Sequence, residues 1–172
     1  MASILDKQFM EHALKHAKTA LENNWIPVGC VFVEKGRIIA HGIKTGQHHP
    51  RLDHAELNAI NQALWSREGP RTLSGVTVYV TLEPCMVCMS MLAACRVERI
   101  VYGLRDHYAG ATGLLTTAEK LPPMYRKAKP RTEGGCLATE SKALLQEFFL
   151  NNEVGQTWDR ENPLVKYCVD AT

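Results

Sequence analysis

Two short motifs constrain this chain more than any other feature, because their side chains must meet in space to act. The motifs are His54-Ala55-Glu56 and Pro84-Cys85-Met86-Val87-Cys88. One imidazole and two thiolates are strong zinc ligands, and a tetrahedral site with three protein ligands keeps its fourth position open for water. The motifs therefore predict one catalytic Zn²⁺ per chain, held by His54, Cys85 and Cys88.

Glu56 lies two residues beyond the histidine and is not needed as a ligand, so we predict that it is the catalytic proton shuttle. Taken alone, the two cysteines are also compatible with a redox pair or with buried thiols, and His54 with an ordinary core or surface histidine. A structural zinc site would require a fourth protein ligand. The candidates for it are His41, His48, His49 and Cys95. The two motifs together favour the catalytic site.

Alternating β-prone and amphipathic runs predict an α/β fold. The predicted strands are residues 28–33, 37–41, 76–81, 99–102 and a last one within 131–137. The predicted helices are residues 5–23, 54–67, 85–94, one within 114–121, and 140–150. Glu34-Lys35-Gly36 predicts a hairpin turn between the first two strands. We therefore expect a mixed five-stranded sheet, largely parallel after the opening hairpin, with helices on both faces in three α/β/α layers.

Both motifs are predicted at helix starts, with Pro84 in the first turn of the second helix, where its missing amide hydrogen is harmless. Residues 1–150 are expected to form the catalytic domain. Residues 151–172 are an extension of undecided structure, which leaves open an extra helix, an ordered strap or a partner contact.

Composition narrows the class of protein. Of the 172 residues, 45% are hydrophobic, and no apolar run approaches the roughly 20 residues of a membrane span. Residues 1–9 lack the apolar region of a signal peptide, so we expect a cytoplasmic protein without a membrane partner, whose six cysteines are reduced. The net charge of +2 neither requires nor excludes a nucleic-acid partner.

The order His-x-Glu, then Pro-Cys-x-x-Cys, resembles the signature of the zinc deaminases. Residues 8 to 150 further resemble bacterial tRNA adenosine deaminases. The segments that carry this resemblance are Pro27-Val28-Gly29, residues 79–85, Tyr102-Gly103, Arg105-Asp106, Gly110-Ala111, Gly113-Leu114, Leu144-Leu145 and Phe148-Phe149. The resemblance implies a cytidine-deaminase-like fold, a homodimer, and release of an exocyclic amine as ammonia, with adenosine converted to inosine at the tRNA wobble position. The substrate-binding residues that it suggests are Val28, Lys44, Glu83, Pro84, Asp106, His107 and Phe149.

Two departures from this family concern the substrate. Family members usually carry Gly-x-Asn after the second strand, and the asparagine contacts the substrate, whereas this chain has Gly42-Ile43-Lys44. Residues 151–172 also contain two basic and four acidic side chains, a balance that would repel phosphates.

A basic cluster with a neighbouring tyrosine, in contrast, favours an RNA substrate, because an unpaired base could stack on this surface. The alternative is an ordinary solvated loop. The members of the cluster are Tyr125, Arg126, Lys127, Lys129 and Arg131. We therefore favour adenosine in tRNA as the substrate. The alternatives are a free nucleobase, a nucleoside or a related heterocycle of the cytosine, guanine or adenine type. The alternative outside enzymology is a zinc-stabilised RNA-binding module.

Overall fold

The computed structural model of the protein describes residues 2–46, 52–66, 68, 72–113 and 129–169. The elements in chain order are α1 (Ile4–Glu22), β1 (Gly29–Glu34), β2 (Arg37–Ile43), α2 (Ala55–Trp65), β3 (Val76–Leu82), α3 (Met86–Ala94), β4 (Arg99–Leu104), β5 (Arg131–Glu133), α4 (Ala138–Asn151), α5 (Glu153–Gln156) and α6 (Pro163–Val169). The helix predicted within residues 114–121 lies outside the described residues.

The five strands form one mixed sheet in the order β2-β1-β3-β4-β5. Strand β1 pairs antiparallel with both β2 and β3, whereas β3 pairs parallel with β4, and β4 parallel with β5. The turn between β1 and β2 passes through Lys35 and Gly36, whose φ angles of 50° and 75° are the left-handed values that a two-residue hairpin turn requires. The predicted sheet, parallel after its opening hairpin, is confirmed.

Helices cover both faces of the sheet because alternate strand residues point to opposite sides. Val31 and Val33 of β1 pack in a cluster with Phe9 of α1. Cys30 and Phe32, on the other face of the same strand, belong to the core cluster under α2 and α3. Helix α4 packs beside α1 and against β4. The three-layer α/β/α arrangement is therefore confirmed.

The start of α2 lies directly against β2. A Cβ atom on Gly42 would overlap the backbone carbonyl of Ala55, so only glycine permits this close approach. The contact fixes the first turn of α2, which carries both His54 and Glu56, against the end of β2. Lys44 follows this strand and is thereby brought near the same site.

Residues 152–169, here called the C-terminal segment, form α5 and α6 and pack against α4. Leu164, Val165 and Cys168 are buried in one cluster with Phe148 and Phe149. The sequence left open an extra helix, an ordered strap or a partner contact for this part of the chain. The structure has two extra helices here, docked on the domain. Within the described part of the chain, no helix combines the length and the apolar character needed to cross a membrane.

Candidate active site

The two predicted motifs come together where α2 and α3 begin. His54 is the N-cap of α2 and Cys85 is the N-cap of α3, and Cys88 lies one helical turn further. The prediction that both motifs stand at helix starts is confirmed. The placement of Pro84 in the first turn of a helix is wrong, because Cys85 is extended and forms a β-bridge with Gly110, so that α3 begins only at Met86.

The spacing of the three side chains fits a tetrahedral zinc ion. His54 Nδ1 lies 3.5 Å from Cys85 Sγ and 3.3 Å from Cys88 Sγ. Ideal zinc–nitrogen and zinc–sulfur bonds give a nitrogen–sulfur edge of about 3.5 Å. This is the only group of three or more possible ligands that the described residues place close enough to share an ion. The group does not include His41 or Cys95, while His48 and His49 lie outside the described residues.

The pKa shifts of the two cysteines are also those expected at a binding site for a cation. A hydrogen bond from Cys88 holds the pKa of Cys85 far below its usual value. The same contact, together with burial, raises the pKa of Cys88, because two thiolates side by side would repel each other. A divalent ion between the two sulfurs would remove this repulsion and allow both to bind as thiolates.

Glu56 lies beside these ligands in the first turn of α2 and is only 3% exposed. Burial raises the pKa of its carboxyl group, and the neighbouring Cys85 acts in the same direction. Lys44 is the nearby cation. Burial lowers the pKa of Lys44, and the charges of Glu56, Cys88 and Cys85 oppose that effect. A carboxyl group and an ammonium group therefore flank the cluster of ligands.

These groups line a pocket of ≈ 200 Å³. This volume is below the roughly 300–1,000 Å³ of sites for drug-sized ligands, so it suits one small heterocycle. The predicted substrate-binding residues that line it are Val28, Lys44, Glu83, Asp106 and Phe149. Pro84 and His107 do not line it. The Pro84 carbonyl accepts a hydrogen bond from Ala111 N, and the His107 ring lies 5.2 Å from that of Tyr167.

Glu83 and Asp106 use their carboxylates to hold the loop that follows β4. Glu83 Oε2 accepts from Asp106 N at 3.1 Å, and Oε1 accepts from the amide and the hydroxyl of Thr112. Asp106 Oδ1 in turn accepts from Tyr108 N at 2.8 Å and from Ala109 N at 3.0 Å. Both acids therefore shape the wall of the pocket through backbone amides.

Eight further lining residues were not among the predicted site residues. They are Ala55, Leu82, Tyr108, Ala109, Ile26, Trp158, Asn162 and Leu164. The last three belong to the C-terminal segment. A tryptophan in a polar, acidic tail is the only sequence signal that pointed to them, because their approach to the pocket depends on how this segment folds back.

A second cavity, of ≈ 730 Å³, adjoins the first. The two cavities share Ile26, Lys44, His54 and Trp158 in their walls. Trp25 and Phe148 add aromatic surface to the larger one. A substrate that extends beyond a single base therefore has room next to the catalytic pocket.

The predicted basic cluster is described only in part. Arg131 Nη2 donates to Glu98 Oε1 at 3.0 Å, so its charge is paired at the surface. Lys129 is exposed. Tyr125, Arg126 and Lys127 lie outside the described residues.

Residues 3–104 match the family described as the cytidine and deoxycytidylate deaminase zinc-binding region. A tRNA-specific adenosine deaminase of Streptococcus pyogenes serotype M18 (strain MGAS8232) is 34% identical over 145 residues, which cover 82% of this chain and 87% of that protein. The Bacillus subtilis (strain 168) protein of the same name is also 34% identical over 145 residues, covering 84% of this chain and 88% of its own.

The fold of this chain is also similar to a structure solved in studies of A-to-I editing by tRNA:A34 deaminases at the wobble position of transfer RNA. The TM-score is 0.71 at 33% sequence identity, and the match covers 80% of this chain and 99% of the other. The expected cytidine-deaminase-like fold is thus confirmed.

Proposed function

Since this chain belongs to the cytidine and deoxycytidylate deaminase family and is a zinc-dependent deaminase, we propose that it converts adenosine to inosine in tRNA. The observation that carries this proposal is a catalytic pocket with room for a single base that adjoins a larger aromatic cavity. Relatives named tRNA-specific adenosine deaminases, aligned along most of their length, support the same substrate.

Each residue of the cluster has a distinct task in this reaction. His54, Cys85 and Cys88 would hold zinc, which when bound acts as a Lewis acid that brings the pKa of a coordinated water near 7. Glu56 would accept one proton from the attacking water and pass it to the ring nitrogen, and would then transfer the remaining hydroxyl proton to the amine that leaves. Water adds to the ring carbon that bears the amine, the carbon–nitrogen bond breaks, and ammonia leaves.

The wall of the pocket would position the base for this attack. Val28 and Phe149 offer apolar surface to the faces of the ring, while Glu83 and Asp106 keep the loop after β4 in place. Lys44 lines both cavities, and its ammonium group is suited to a phosphate in a strand that runs from one cavity into the other. Roles for Pro84 and His107 remain predictions.

The substrate is tested by incubating the zinc-loaded protein with an anticodon stem-loop that carries adenosine at position 34. Adenine, cytosine, guanine and their nucleosides are incubated in parallel, and the released ammonia is measured. We expect ammonia and inosine from the stem-loop. A matched stem-loop with inosine already at that position should release no ammonia. Ammonia from the small molecules alone would reject tRNA as the substrate, and tight RNA binding without ammonia from any compound would contradict the proposed activity.

A free base or nucleoside is the second candidate, and one observation favours it. The C-terminal segment lines the catalytic pocket and carries Asp159 and Glu161 next to the residues that line it. Negative charge at this position would weaken the approach of a polynucleotide.

We also propose that the protein is a cytoplasmic homodimer. All six cysteines are free, which agrees with a reducing compartment. Every residue of α3 except Ser90 is apolar or a cysteine, yet Met86, Val87 and Met91 are 48%, 54% and 42% exposed. An apolar helix with one face left open is typical of a surface that a partner covers, and the resemblance to homodimeric deaminases makes a second copy that partner.

A charge on this face of α3 is expected to separate the dimer. The molar mass measured for the wild-type protein should be twice the 19.2 kDa of one chain, and that of Val87→Glu should equal one chain. The control is Ile4→Glu, at an apolar position that is 81% exposed on α1, which should remain dimeric. Analytical ultracentrifugation distinguishes the two masses, and a wild-type protein that is monomeric at every concentration would contradict the proposal.

A further inference from the structure

The C-terminal segment contributes to the catalytic pocket itself. Trp158, Asn162 and Leu164 line the same pocket as Glu56 and Cys85. Asn162 is the only one of the three whose side chain ends in an amide. It is a half-buried residue between α5 and α6.

The position of this amide is set by the body of the domain. Leu164 and Val165, which follow it, are buried against α4. Arg160 Nη2, which precedes it, donates to the carbonyl of Phe149 at 3.1 Å. The ring of Trp158 lies 5.6 Å from that of Phe149. Asn162 is thus held on both sides by contacts to the helix that also supplies Phe149 to the pocket.

Local hydrogen bonds also set the orientation of the amide. Asn162 Oδ1 accepts from Leu164 N at 2.9 Å, and the backbone amide of Asn162 donates to Asp159 O at 3.1 Å. Within the described part of the chain, Asn162 Nδ2 donates to no protein group. Leu164 N uses one lone pair of the oxygen and orients it, whereas neither hydrogen of Nδ2 is used by the described residues, so the side chain can offer the pocket a hydrogen-bond donor.

A fixed donor selects ligands that carry a lone pair at the matching position. Ring nitrogens of adenine, the ring nitrogen and carbonyl oxygen of cytosine, and N7 and O6 of guanine are such acceptors, whereas a ring N–H is not, so the donor selects the orientation of the base as well as its identity. Asn162 lines the same pocket as Glu56 and Cys85, and its amide is therefore close to the ring of a base held there.

We propose that Asn162 is a specificity-determining residue, whose Nδ2 donates a hydrogen bond to an acceptor on the ring of the target base. This inference rests on the proposed deamination, but not on tRNA as the substrate. It assigns to the C-terminal segment a direct part in the choice of base.

The test is Asn162→Asp, which keeps an oxygen for Leu164 N and replaces the donor with a charged acceptor of nearly the same size. We expect kcat/KM to fall about tenfold to a hundredfold, with an unchanged melting temperature. Asn162→Ser, which keeps an acceptor but cannot reach the base, should lose about tenfold. The control is Asn151→Asp, at an exposed asparagine that lies just before the segment and lines neither cavity, and its kcat/KM should equal that of the wild type.

The kinetics are measured with whichever compound of the panel the wild-type protein deaminates, so that failure of tRNA as the substrate is separate from failure of this inference. A second measurement is the Kd of purine riboside, which lacks the amine and is not deaminated. Its binding is followed by the fluorescence of Trp158, with Trp158→Phe as the reference for the other tryptophans. We expect a Kd at least about tenfold weaker for Asn162→Asp. Wild-type kcat/KM and Kd in both Asn162 variants would overturn the inference.

Discussion

Replacing Glu56 by glutamine is expected to lower the rate of deamination by about two to four orders of magnitude while zinc stays bound. Glutamine has the size of glutamate and keeps a hydrogen-bonding oxygen, but it cannot accept a proton from water. Glu56 is 3% exposed and stands two residues from the ligand His54, so bulk solvent cannot readily take over the transfer. The loss should therefore appear in kcat rather than in KM.

The measurement combines ammonia release with elemental analysis of zinc in the same preparations. Glu11→Gln, at an exposed position on α1, is the matched control and should retain full activity. Cys88→Ala is the complementary variant, because loss of a ligand should remove both zinc and activity. If Glu56→Gln retained zinc and released ammonia at the wild-type rate, the role assigned to Glu56 would be wrong.

The parts of the site that the sequence predicts are those set by short spacings. Helical geometry places the cysteines at i and i+3 on one face of α3. The histidine joins them because α2 and α3 begin at the same region of the sheet. The strands could also be predicted, because β-branched and aromatic residues, as in Val76–Leu82, favour strands.

The features that local patterns missed depend on contacts between distant parts of the chain. Pro84 lies before the helix because Cys85 pairs with Gly110, twenty-five residues later. Glu83 lines the pocket as predicted for a substrate-binding residue, but the sequence does not reveal that its carboxylate also accepts from the loop that contains Asp106 and Thr112. The C-terminal wall of the pocket depends on packing of α6 against α4, which amphipathic periodicity alone does not reveal.

The largest effect on stability is expected from Arg99→Ala, which should lower the free energy of unfolding by about 3 kcal/mol. Asp6 lies in the first turn of α1 and its side chain is 5% exposed. Arg99 on β4 donates to both of its oxygens, at 2.7 and 3.1 Å, and Tyr79 on β3 donates at 2.9 Å. Without Arg99, a buried carboxylate loses its only ion-pair partner among the described residues, and only the Tyr79 hydroxyl of the groups just named still joins it to the sheet.

The control is Arg131→Ala, because Arg131 pairs with Glu98 at the surface and is 72% exposed, so its loss should cost less than about 1 kcal/mol. Both variants are compared with the wild type by urea unfolding.

The pH dependence of unfolding tests the same ion pair through a different variable. The hydrogen bonds from Arg99 lower the pKa of Asp6 below its ordinary value of 3.8. A carboxyl group whose pKa is lower in the folded than in the unfolded state contributes its full stabilisation above the unfolded value, and loses it as the pH falls below that value. The urea midpoints of wild type and Arg99→Ala should therefore differ most near neutral pH and converge below about pH 4. A difference that stays constant from pH 7 to pH 3 would show that lost packing of the arginine, rather than the ion pair with Asp6, causes the destabilisation.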